Sequence, residues 1–372
     1  MKKQMLRVLL LITPLFSFAT FQPTSQDELV LNKVVIKLKK ILASNPSKKS
    51  LYKKKIEWLA QAYQSNERIF WILTELVVRS FETASASSTP SPVSQGSSCS
   101  IFPADNARNT DISNYPVHIN SDKYIASMWG STKKVHPDFG ANRDGGPFGI
   151  PFVMVDSKTP LVQVKAVRYP EESDEWKFPV PLNAPREKGG DHHVIAVDKE
   201  NCMLYELYAA EVVNWTREAG SVAKFDMKTN ALRPKGRTSA DAAGLPIFPG
   251  LARYDEVVAG TISHALRFTA SKTQKAYIAP ATHFASSSTD SNLPPMGLRL
   301  RLKKSYDISR LTWQSKIIAE ALKKYGMILA DNGSDRYISG APDSRRSDED
   351  LNQLKSIPWN AFEAVETGPL EK

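Results

Sequence analysis

The chain has 372 residues, with 49 lysines and arginines against 39 acidic side chains and a formal charge of +10. Divided along the sequence, that charge is +3 for residues 1–19, +5 for residues 20–82 and only +2 for residues 99–372. A protein that neutralises a phosphate backbone carries its positive field on its folded domain, so composition argues against nucleic acid as the partner.

Lys2, Lys3 and Arg7 precede an apolar run from Val8 to Phe16, and Ser17-Phe18-Ala19 offers small residues at a cleavage site. This is the three-part pattern of a secretory signal, with cleavage expected after Ala19. The apolar run is shorter than the ~20 residues a spanning helix needs, so the expected product is secreted or periplasmic and is not transmembrane after cleavage. Export sets the reading of the two cysteines: in an oxidising compartment Cys99 and Cys202 form the only possible intramolecular disulfide, the alternative being two buried thiols. Neither belongs to a C-x-x-C pair, so no zinc site is expected, and no motif calls for a cofactor.

Residues 20–82 read as a helical hairpin. Leu31, Val34 and Leu38 form one stripe, and Tyr52, Ile56, Leu59, Tyr63, Phe70, Leu73 and Val77 form a second. The stripes can bury each other, dock on a partner, or lie on an envelope surface; Glu75 argues against a membrane span. Residues 83–98, rich in serine, alanine and proline, form a linker.

From Cys99 the texture changes to short apolar runs separated by Pro, Gly, Asn and Asp. Strands are expected over 152–156, 161–168, 193–197, 203–209, 264–269, 277–279, 298–303 and 327–330, with helices over 255–263, 314–325 and 348–355. Several of these strands are continuously apolar, as strands covered on both faces are. Leu298, Leu300 and Leu302 alternate with Arg299, Arg301 and Lys303, as in a strand with one wet face. The count of short strands favours a mainly β domain over residues 99–372, a jelly-roll-like β-sandwich with short inserted helices.

The phrases Cys99-Ser-Ile-Phe-Pro-Ala-Asp-Asn106, Gly190-Asp-His-His193, Thr238-Ser-Ala-Asp-Ala-Ala-Gly-Leu-Pro246, Ile262-Ser-His-Ala-Leu-Arg267 and Lys324-Tyr-Gly-Met-Ile-Leu-Ala-Asp-Asn-Gly333 carry a resemblance. From Cys99 to about Val365 the chain resembles a family of secreted bacterial proteins of unassigned function. The resemblance implies export and one large domain, and brings no catalytic residue with it.

Polar residues inside apolar runs are the candidates for chemistry. Asp191, His192 and His193 open a buried strand, where only one histidine can face a given site. Glu206 shares a strand face with Leu204 and Tyr208, and burial raises a carboxyl toward general-acid use; the alternative is a structural partner for an arginine or tyrosine. A second carboxylate would come from Asp191, Asp241 or Asp331. Asp241 precedes a tight turn and also fits a cap. His264 and Arg267 share one strand, and His283 lies in a Ser/Thr-rich loop. Arg299 and Arg301 form a basic ribbon able to hold a polyanionic sugar, or a solvated face. Asn332-Gly333 between two β runs reads as a type I′ hairpin turn rather than a calcium loop.

These residues point to a carbohydrate-active enzyme, a hydrolase or lyase acting on a polysaccharide or envelope glycan. The expected catalytic groups are Glu206, Asp241, Asp191, His193 and His264, with His283, Arg267, Arg299 and Arg301 contacting substrate. The alternative is a non-catalytic envelope-binding or adhesion module.

Overall fold

The structure is a computed structural model; it describes residues 99–372 except Glu175, Trp176 and Trp215. The expected signal, hairpin and linker lie outside the described residues. No described helix is long and apolar enough to cross a membrane.

The domain is mainly β, built from several mixed sheets, one of them curled into a half-barrel. The largest runs His136–Pro137, Tyr337–Ile338, Leu266–Ala270, Met327–Asn332, Arg299–Leu302, Phe362–Val365. A second contains Ser221–Asp226, Met203–Tyr208, Val194–Asp198 and Phe152–Val155. A third contains Lys177–Phe178, Val162–Ala166, Thr216–Ala219 and Glu211–Val213. All eight strands expected from the sequence are present, with ends shifted by a few residues, and so are the three helices, at Tyr254–Val258, Trp313–Lys324 and Asp348–Asn352.

A jelly roll pairs its strands antiparallel, whereas four pairs among the described residues run parallel: Phe152–Val155 with Val194–Asp198, Leu266–Ala270 with Met327–Asn332, Val162–Ala166 with Thr216–Ala219, and His136–Pro137 with Tyr337–Ile338. The continuously apolar runs fall in the first two of these pairs, as expected of strands packed on both faces.

Alternation assigns the faces. Val194, Ala196, Leu207 and Val222 pack with Val164, Phe178 and Ala219 of the third sheet. Ile195, Val197, Leu204, Ala223 and Phe225 pack on the opposite side against Cys202, Ile247, Phe248 and Leu251. The six-stranded sheet buries Leu266, Phe268, Leu298, Leu300 and Leu302 with Ile318 and Leu322 of the Trp313–Lys324 helix. Cys99 is disulfide-bonded to Cys202, with Cα atoms 5.5 Å apart across 103 residues of sequence. On a chain-entropy model such closure stabilises by ~4–5 kcal/mol.

The basic ribbon is not wet. Arg299 and Arg301 are buried on the face of the six-stranded sheet opposite the leucines. The Arg299 guanidinium donates to the carbonyls of Ala107, Thr110 and Tyr325, and Arg301 donates to those of Ile112 and Tyr115 and to the Glu363 carboxylate. The segment they hold contains no strand or helix before Ser121–Ser127, so its carbonyls lack sheet partners. A buried backbone acceptor must be satisfied, and a guanidinium with five N–H groups can satisfy several. The alternation Leu-Arg-Leu-Arg is therefore the same for a solvated face and for a face that anchors an irregular segment. Arg299 reaches no carboxylate; burial and then Arg108 pull its pKa down to about 9.

Arg299→Met keeps the stem and deletes the donors. It is expected to cost about 1–3 kcal/mol for a buried acceptor left orphaned, read as a lower urea midpoint at unchanged slope. An unchanged midpoint would show that water replaces the guanidinium without loss.

Candidate functional site

A polar layer lies on the faces of the two larger sheets that are turned away from their leucine and Val194/Leu207 cores. Val194 and Ala196 face the third sheet, so His193 and Ile195 face the other way, as do Leu204 and Glu206. Arg267 lies between Leu266 and Phe268 of the leucine core and points from the opposite face of its strand. Asp241 enters on the 238–245 turn and Asp331 near the end of the Met327–Asn332 strand.

Arg267 joins them. Its Nε lies 2.9 Å from both Asp241 oxygens, its Nη2 donates to Asp241 at 2.5 Å and contacts Asp331 at 3.3 Å, and its Nη1 donates to the Ser339 hydroxyl at 2.7 Å. Asp241 is fully buried. Its turn is fixed by the Gly244 N–H donating to the Asp241 carbonyl at 3.1 Å and by the Ser239 hydroxyl, which donates to the carbonyls of Asp241 and Leu245. Gly244 has φ +71°, and a Cβ there would lie 2.8 Å from the Arg237 carbonyl oxygen, so the turn requires glycine. The Ala243 N–H then donates to the Ala330 carbonyl, joining the turn to the strand end that carries Asp331.

His193 is buried, with Nδ1 2.6 Å from Glu187 and Nε2 3.1 Å from the Ala240 carbonyl. Burial lowers its pKa, but the Glu187 hydrogen bond and charge outweigh this and raise it to about 9, so both nitrogens are donors. Burial would raise Glu187; the bond from His193 wins and holds it ionised, below its ordinary range. Glu206 is fully buried and accepts the N–H groups of Ile247 and Phe248 at 2.8 Å, capping the turn before Phe248–Gly250. Burial raises it to about 7, with the two N–H bonds opposing. Asp331 is pushed up to about 8 by burial and then by the nearby Asp241 charge, with Arg267 opposing.

Arg267 acts electrostatically on both Arg108 and His193, and Asp241, Glu187, Glu206 and Asp331 are the acids of this layer. Burial and the neighbouring Asp241 charge favour the protonated form of Asp331. Asp331 accepts the Asn332 N–H at 2.8 Å and the longer contact from Arg267 at 3.3 Å, and its side chain is 18% exposed, at the edge of the layer.

His193, Asp241 and Asp331 bring one ligand-type atom each within 4.8 Å of one another, the donor set of a divalent cation. Here a guanidinium covers both oxygens of Asp241, and both imidazole nitrogens are committed to oxygen acceptors. The cationic charge the carboxylates need is thus supplied by the chain itself.

Of the residues singled out by the sequence, His193, Asp241, Arg267 and Asp331 come together, with Glu206 coupled electrostatically to Asp241 and His193. Asp191 is exposed and acts on Asp331 only through its charge. His283 borders the layer, its Nδ1 2.6 Å from the Ala242 carbonyl. His264 is elsewhere, 3.1 Å from Glu256 and 3.2 Å from Arg253, and Arg299 and Arg301 hold backbone as described. Glu187 was missed: it lies in the Arg-Glu-Lys-Gly-Gly loop, where a carboxylate reads as a solvated surface group. No family model, curated protein or solved structure matches the chain.

The raised acids set a pH dependence of unusual sign. In an unfolded chain Asp and Glu lose their protons near ~3.9 and ~4.3; folded, Asp331 does so at about 8 and Glu206 at about 7. Between those values the native state binds more protons than the unfolded one, so stability falls as pH rises. His193, raised from an ordinary value to about 9, adds the same sign at the upper end. The urea midpoint is expected to decline from pH 5 to pH 9, and Asp331→Asn to flatten the decline below pH 8. A variant with the wild-type slope would remove Asp331 from the linkage.

Proposed function

We propose that this is an exported bacterial protein whose domain from Cys99 cleaves a polysaccharide or other envelope glycan, as a hydrolase or lyase. The observation that carries the reading is that two partly exposed carboxyls flank His193 and Arg267: Glu187, 2.6 Å from His193 Nδ1, and Asp331, 3.3 Å from Arg267 Nη2. Burial favours the protonated form of Asp331, and the His193 bond favours the ionised form of Glu187. Environments that drive two carboxyls in opposite directions separate acid from base. Both are open at the edge of the layer to the same extent, with 18% of each side chain exposed.

In this reading Asp331 protonates the glycosidic oxygen as the bond to the leaving sugar breaks. Its pKa near that of the surrounding medium suits a general acid, and the Arg267 guanidinium stabilises the carboxylate left behind. Glu187 faces the positive charge that develops on the sugar, or orients the water that attacks it. His193 holds Glu187 from below by the 2.6 Å bond and is a positioning residue. Asp241 and Glu206 are enclosed and tune the layer through charge. The Cys99–Cys202 disulfide supports an oxidising compartment, and the signal pattern and the family resemblance support export. Stacking of the two larger sheets around this layer, in the manner of a sandwich, belongs to the same proposal.

The test is incubation of the purified domain with a panel of neutral and uronate-containing polysaccharides, followed by assay for new reducing ends and unsaturated products. Turnover by the wild type, and a fall of roughly 100-fold or more in Asp331→Asn and Glu187→Gln, is expected. Absence of turnover on every member, or wild-type rates in both variants, overturns the proposal.

A further inference from the structure

Trp129 is among the most exposed large apolar residues of the described chain, at 58% relative exposure. Its backbone has φ 76°, a left-handed conformation that bulky residues rarely adopt. That conformation is fixed on both sides: the Trp129 N–H donates to the Ala126 carbonyl, and its own carbonyl accepts from the Thr132 N–H and hydroxyl. The indole is fixed as well, its Nε1–H donating to Asp335 at 2.7 Å. Asp335 is itself buried and held by the Ser271 N–H at 2.7 Å and the Ser271 hydroxyl at 2.8 Å.

An exposed tryptophan normally keeps its N–H for water or a ligand. Here the polar edge is already used inside the protein, so the part presented outward is the apolar ring. The Lys133 ammonium lies over the ring, 5.9 Å from its centroid, and adds a donor at that face. The anchor belongs to the Asp331-Asn-Gly-Ser-Asp335 segment, which carries the half-open acid at one end and the indole's acceptor at the other. The segment is tied down between them by the Thr269 hydroxyl, which donates to the Ser334 carbonyl at 2.6 Å.

We propose that Trp129 is a sugar-binding platform, a subsite that stacks one pyranose ring of the same glycan that reaches Asp331; this rests on the glycan reading above. The C–H face of a pyranose is apolar and its rim carries hydroxyls, which matches a flat ring with an ammonium at one face. The ring is preorganised, so little side-chain entropy is lost on binding.

Affinity electrophoresis in native gels containing laminarin, xylan, carboxymethylcellulose, alginate or glycol chitin tests this, with the wild type, Trp129→Ala and Trp129→Phe compared. At least one polysaccharide is expected to retard the wild type, Trp129→Ala to bind about tenfold more weakly, and Trp129→Phe to retain most of the affinity. Equal retardation of Trp129→Ala and wild type overturns the platform and leaves the glycan reading standing. No retardation of the wild type by any member also overturns it, and the glycan reading then falls or stands by whether products form from the same panel. Retardation that depends on Trp129 without any turnover sustains the platform and overturns the cleavage reading.

Discussion

The Arg267–Asp241 pair is the interaction on which the rest of the site depends. Both groups are out of water, and the attraction between them offsets their desolvation only because the guanidinium is also bonded to Ser339 and Asp331. Removing either partner would leave an uncompensated charge in the interior, which is far costlier than losing a surface pair. The pair also fixes geometry. Asp241 holds the 238–245 turn over the Leu266–Ala270 strand, that turn bonds to Ala330, and Asp331 follows in the next residue. His193 reaches the same turn through the Ala240 carbonyl. Strand, turn and acid are therefore positioned by one bidentate contact.

Arginine is used in the interior for two different purposes. Arg267 faces carboxylates, and their charge raises its pKa despite burial. Arg299 faces carbonyls, which offer hydrogen bonds without charge, and its pKa falls. Arg108 stands between these cases, donating to the Pro246 carbonyl while the charges of Asp241 and Glu206 partly offset its burial. Arg299 and Arg301 bind the irregular segment before Ser121–Ser127 onto the sheet, where strand pairing would otherwise have to satisfy the backbone.

Much of the fold was legible because strands are encoded locally. Runs such as Val194-Ile-Ala-Val197 and Met203-Leu-Tyr-Glu-Leu-Tyr208 have few other stable readings. Pairing is not local, and the jelly-roll expectation failed there: the apolar runs that suggested inner strands of a sandwich belong to parallel pairs. The Asn332-Gly333 hairpin turn failed for the same reason. The strand after it, Tyr337–Ile338, pairs with Leu266–Ala270 and not with the strand before it, so the connection crosses a strand end, pinned by the Asp335 carboxylate on Ser271. Of the site, His193, Asp241, Arg267 and Asp331 were visible as polar residues in apolar surroundings. Glu187 and Trp129 were not, because each sits in a loop whose composition reads as solvent-facing and gains its meaning from a buried partner more than 5 residues away in sequence, His193 in one case and Asp335 in the other.

The same layer explains why burial alone does not select an acid. Glu206 and Asp331 are both pushed upward, to about 7 and about 8, and by burial in each case. Glu206 accepts two backbone N–H groups and has no exposed surface, so it is closed off from solvent. Its carboxylate caps a turn, and its charge acts on Asp241 and His193 at a distance. Asp331 accepts the Asn332 N–H at 2.8 Å and reaches Arg267 at 3.3 Å, with 18% of its side chain exposed. What separates the two carboxyls is therefore exposure and not the direction in which burial drives them. The Arg267 guanidinium gives its short bonds to Asp241 and Ser339, so the strand-end carboxyl receives the longer one and stays at the rim of the layer.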